Sequence, residues 1–107
     1  MEIHTHNDQS CVVLQTFGEF SALKLAAESL EPAIETRFPT ETKKELMELS
    51  SQIDYDSLHI SSEKFEVIRA AARYALFSCH VGIRSRIASA CPSTRAGLEL
   101  LHQTVIE

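Results

Sequence analysis

The sequence predicts an all-α protein, a small helical domain of about four helices around one long central helix. Three observations predict it. The stretch from Ser62 to Cys91 contains no proline, one glycine (Gly82) and many alanines, which suits a single helix of about eight turns. The only prolines, Pro32, Pro39 and Pro92, fall between or at the ends of segments whose apolar residues recur at steps of three and four. With 107 residues the chain has room for one domain and one modest core.

The elements follow in chain order. Residues 1–15 begin with the polar MEIHTHNDQS and continue into CVVL, a run too brief to classify by period. This segment is expected to be a flexible N-terminal leader, and 16–107 a single helical domain. Phe17, Phe20, Leu23, Ala27 and Leu30 then share one helical face, which Pro32 stops or kinks and Pro39 ends. Thr40 is placed to cap a second helix with Glu41 in its first turn, and Leu46, Met47, Leu49 and Ile53 give that helix its apolar side. DYDSLHI, residues 54–60, reads as a connector with acidic turn formers. Ser61 and Ser62 supply the cap of the long helix. After Cys91, Pro92 breaks that helix and Ser93 caps a last one, with Leu98, Leu101 and Val105 as its stripe.

The long helix is apolar on two sides. Phe65, Ile68, Ala72, Ala75, Cys79, Ile83 and Ala90 form one stripe; Val67, Ala70, Tyr74, Phe77, Val81 and Ala88 form another, interrupted by Arg84. At 100° per residue the stripes lie nearly opposite each other, so both sides must be covered. One side suits the chain's own helices. The other is either the far side of a centrally buried helix or a ridge for a second copy or a partner, and its aromatic and β-branched residues are of the kind that anchor interfaces.

Composition narrows the function classes. A hydrophobic share of 44% with 23% charged residues describes a folded chain, not a disordered one. The net charge of −5 is uneven: residues 1–60 hold 11 acids and 4 bases, the remainder 4 acids and 6 bases. That balance favours pairing within the chain or with protein and argues against general nucleic-acid affinity. Arg69, Arg73, His80, Arg84 and Arg86 make a basic row on the long helix, read either as a solvated face bridged to the acidic half or as a grip on an acidic partner. Cys11, Cys79 and Cys91 form an odd set without CxxC spacing, so a disulfide framework is not expected; reduced thiols fit a cytoplasmic protein. Neither a signal peptide nor a bilayer-spanning run is apparent.

Chemistry-bearing patterns are sparse. His4, His6, Asp8 and Cys11 lack the fixed spacing that a zinc site needs, so no metal is expected. Cys79 and His80 point about 100° apart on a helix, which does not make a nucleophilic dyad, and Cys79 falls in the core stripe as a buried thiol. Gly18, Gly82 and Gly97 are isolated, so no phosphate-cradling loop is present. A non-enzymatic protein without catalytic residues or cofactor is the expectation. The candidate interface residues are Val67, Ala70, Arg73, Tyr74, Phe77, Val81 and Arg84.

The run RYALFSCHVGIRSRIASACPSTR, the start MEIHTHNDQSCVVLQTFGEF and the total length together resemble the bacterial quorum-sensing anti-activators. The resemblance implies a small helical homodimer that binds a LuxR-type transcription regulator through its autoinducer-binding domain and prevents that regulator from dimerising and binding DNA. It implies no direct nucleic-acid or membrane partner, and it brings no motif from which contact residues can be transferred. On this reading the Tyr74, Phe77, Val81 ridge, edged by Arg73 and Arg84, is either the regulator-binding surface or the homodimer seam. A small secretion chaperone or a toxin-neutralising adaptor would share the same helices and acidic charge.

Overall fold

The computed structural model describes residues 1–6, 9–29, 40–52 and 58–105. Its fold is mixed, which corrects the all-α expectation. Among the described residues, three strands, β1 (Glu2–His6), β2 (Gln9–Leu14) and β3 (Leu58–Ser61), accompany five helices. The helices are α1 (Phe17–Ser29), α2 (Thr40–Ser51), α3 (Ser62–Phe77), α4 (Val81–Ser89) and α5 (Pro92–Gln103). The strands form one antiparallel sheet in the order β1-β2-β3. Residues read as a flexible leader therefore supply two of the three strands, and the expected connector supplies the third.

The sheet's sequence signal is weak for physical reasons. The central strand β2 buries Val12, Val13 and Leu14 in succession, so it has no period-two alternation to read. Strand β1 is an exposed edge in which Ile3 is the one apolar residue among polar ones. In β3, Leu58 and Ile60 alternate with His59 and Ser61, but two inward residues are too few to declare a strand.

Helix α3 lies on β2 and β3, while α1 and α5 pack on each other and on α3. Together they enclose one core. Val12, Leu14 and Ile60 of the sheet meet Leu23 and Ala26 of α1, Leu46 of α2, Phe65 and Ile68 of α3, and Leu98 and Leu101 of α5. Full burial of each such side chain is worth about 1.5–3 kcal/mol, and this set holds the sheet to the helices. Lys64 Nζ lies 3.7 Å from Glu45 Oε1, a surface pair between α3 and α2.

The expected long helix is two helices. Ser78 and His80 are both extended, with φ, ψ of −68°, 141° and −67°, 127°. The His80 N–H donates to Ser78 Oγ at 3.1 Å, a local bond that competes with the helical ladder. Serine, cysteine, histidine and the nearby Gly82 all have modest or poor helix propensity, so tertiary packing decides their conformation. Ile83 still reaches the core across the break, whereas Cys79, expected inside it, is exposed, as is Cys91.

Other boundaries follow from local chemistry. Ser61 caps α3 as expected, its hydroxyl accepting from the Lys64 N–H at 3.4 Å. The cap of α5 falls two residues before the expected Ser93: Cys91 is its N-cap and Pro92 occupies the first turn, where a missing N–H costs nothing. At its other end Val105 lies outside the helix and is exposed. The Pro32 and Pro39 breaks, Ile53 and the Asp54–Asp56 turn lie outside the described residues.

Helix α1 opens with a capping box. Glu19 Oε2 accepts the Gln15 N–H at 3.0 Å, the Thr16 N–H at 2.7 Å and the Thr16 hydroxyl at 2.8 Å, while the Glu19 N–H donates to Thr16 Oγ1 at 3.3 Å. Its other oxygen, Oε1, pairs with the Met1 amino group at 2.5 Å; Glu19 is buried and Met1 half-buried. This bond ties the start of β1 to the start of α1.

Candidate protein-docking surface

The inward face of α3, carrying Phe65, Ile68, Ala71, Ala72 and Ala75, is spent on the core. Its opposite face is the predicted second stripe, and the structure treats its members differently. Val67 and Tyr74 are half-buried and pack against the core's edge. Ala70 and Arg73 are exposed, and at the helix end Phe77 is 68% exposed. Beyond the break, Val81 is 82% exposed and Arg84 is exposed on α4.

Ala70, Arg73, Tyr74 and Phe77 come together along one open groove of about 870 Å³, closed at its end by the turn residues Ser78, Cys79 and His80. A smaller hollow of about 210 Å³ continues from it past Ala70 and Arg73 to Glu66, Arg69 and His102. Val67, Val81 and Arg84 do not line either hollow. The turn residues and His102 were not among the expected interface residues. Helical periodicity had placed Ser78, Cys79 and His80 inside an unbroken helix; the only hint was their low propensity beside Gly82.

The groove's walls are held in place by α5. The His102 ring meets the Phe77 ring edge-on, with centroids 5.4 Å apart at 75°. Arg69 donates through Nε to the His102 carbonyl at 3.1 Å, serving the last turn of α5, and forks through Nη1 onto both oxygens of Glu66 at 3.2 and 3.0 Å.

The basic row is divided in the same way. Arg69 is engaged as described, and Arg86 donates to the Glu28 carbonyl at the end of α1 at 3.2 Å. Arg73 stands in the groove wall, where a planar guanidinium beside Tyr74 and Phe77 suits a carboxylate or carbonyl on an apolar partner segment. The surface thus combines exposed apolar anchors with a cation at its edge, the composition of the centre and rim of a protein interface.

Among the described residues no group of three histidine, cysteine or acidic side chains is arranged to hold a metal; Asp8 lies outside them. No described helix is long and apolar enough to cross a membrane. No family model, curated protein or solved structure matches the chain.

Proposed function

We propose that this chain is a non-enzymatic protein-binding regulator whose working surface is the groove and ridge at the end of α3. The observation that carries the reading is the exposure of Phe77 in a groove that also presents Tyr74 and Arg73, with Val81 exposed just beyond the turn. Isolated apolar residues at a surface are ordinary, but an exposed aromatic side chain lining a groove beside a tyrosine and an arginine is the composition of a docking patch. The partner proposed is the autoinducer-binding domain of a LuxR-type transcription regulator, in the cytoplasm, where three unpaired thiols are stable. The partner rests on the resemblance of residues 73–95 and of the first 20 residues to quorum-sensing anti-activators; the surface rests on the geometry.

A regulator of this type acts as a dimer, so an inhibitor that covers its self-contact must offer an apolar surface in exchange. Phe77, Tyr74 and Val81 provide one, and Arg73 at the rim fixes orientation. The test is light scattering on a sizing column with the purified autoinducer-binding domain. Wild type is expected to form a mixed species in which the domain no longer pairs with itself. Phe77→Asp is expected to weaken it about thirtyfold, the worth of roughly 2 kcal/mol for one buried aromatic anchor, with helicity unchanged. No mixed species with wild type would overturn the partner; an unchanged mixed species with Phe77→Asp would overturn the surface.

A further inference from the structure

We propose that two copies of this chain pair antiparallel along the outer edge of β1, about a two-fold axis at Ile3, and so build one continuous six-stranded sheet. The order β1-β2-β3 leaves β1 with no strand on its outer side among the described residues. An edge strand presents a row of backbone donors and acceptors. The β1 sequence EIHTH has no lysine, proline or bulge to block it, its one acid being Glu2, and its five-residue register with β2 is unbroken.

The register supplies the second argument. Ile3 is opposite Val12, and Val12 is opposite Ile60, so the three form one apolar row across the sheet. Ile60 and Val12 are buried at 1% and 0% exposure, but Ile3, at the cut end of the row, is 46% exposed. A two-fold axis at Ile3 sets it directly against Ile3 of the second copy. The row then runs Ile60, Val12, Ile3 and back through the same residues of the other chain.

Side-chain pairing supplies the third. The same axis places Glu2 opposite His4 of the second copy, and His4 opposite its Glu2. These groups already pair within one chain, His4 Nε2 lying 3.0 Å from Glu2 Oε2, and both are exposed. Each carboxylate–imidazole pair can then form across the seam as well as within the chain, so one short strand recognises itself in apolar content and in hydrogen-bonding groups.

Among the described residues the edge is open: Glu2, Ile3, His4 and Thr5 are all exposed, while α3 packs on β2 and β3. Phe77 lies at the far end of α3, about 22 Å along the helix from Ser62 beside β3. The self-pairing edge and the docking groove are therefore separate surfaces, and the regulator reading can fail without touching this one.

Sedimentation equilibrium of the full chain, at up to roughly 100 µM because a seam of one strand is small, is the test. Wild type is expected to approach twice the 12.0 kDa chain mass. Ile3→Lys, which sets two lysines against each other on the axis, is expected to weaken association roughly tenfold or more, while Phe77→Asp stays dimeric. As a check on register that leaves the apolar row intact, Glu2→Lys alone should loosen the dimer and Glu2→Lys with His4→Glu should restore it. A monomeric wild type, a folded Ile3→Lys that still dimerises, a monomeric Phe77→Asp, or a double swap that fails to restore association would each overturn the proposal.

Discussion

Gly97→Ala is expected to destabilise the protein by about 2–3 kcal/mol, although alanine is the better helix former. The reason is the crossing of α1 and α5. A Cβ at Gly97 would overlap the Gly18 carbonyl oxygen, lie 2.9 Å from that carbonyl carbon, and come 3.0 Å from the Ala22 Cβ. At Gly18 a Cβ would lie 2.6 Å from the Ser93 carbonyl oxygen. The obstacles are mostly backbone, so no flexible side chain can swing aside. Propensity favours alanine by about 1 kcal/mol, but separating two packed helices also loosens Leu98 and Leu101 against Leu23. Gly18→Ala is expected to act in the same direction, and the double variant to cost less than the sum, because a single shift relieves both contacts. Urea unfolding followed by circular dichroism would measure it. A Gly97→Ala variant as stable as wild type would mean that the helices are not in backbone contact.

That contact illustrates what the sequence conceals. Gly18 and Gly97 are 79 positions apart and each is isolated, so nothing local distinguishes a glycine that admits a neighbouring backbone from one in a loose helix. Amphipathic periodicity found α1, α2 and α5 because each keeps a wet face, and it found the inward stripe of α3 through Phe65, Ile68, Ala72 and Ala75. It failed at Ser78–His80, where apolar spacing continues across a break set by a hydroxyl and two extended residues. It failed again for the sheet, whose central strand is buried on both faces and whose edge is polar. The groove was half legible: Ala70, Arg73, Tyr74 and Phe77 come from one helical face, but the closing residues come from the turn and from α5. Tertiary approach of a distant residue such as His102 leaves no periodic trace.

Glu19→Ala is the second large effect, expected to cost about 2–3 kcal/mol at neutral pH and less in acid. Burial pushes the Glu19 carboxyl upward, but the Met1 ammonium, the Gln15 and Thr16 N–H groups and the Thr16 hydroxyl more than offset it and hold the carboxyl below its ordinary value of 4.5. A group depressed on folding adds stability above its unfolded value, and that contribution is lost as pH falls through the folded value. The gap between wild type and Glu19→Ala should therefore be full above about pH 5 and shrink steadily as acid is added below 4.5. The local consequence is larger than the global one, because the same carboxylate caps α1 and anchors Met1, the residue that leads into β1. Loss of the anchor frees the strand that the sheet exposes at its edge, so amide exchange should rise in β1 before it rises in β2, where Val12 and Leu14 remain in the core. A stability gap independent of pH, or β1 exchange unaltered by Glu19→Ala, would show that the ion pair holds neither element.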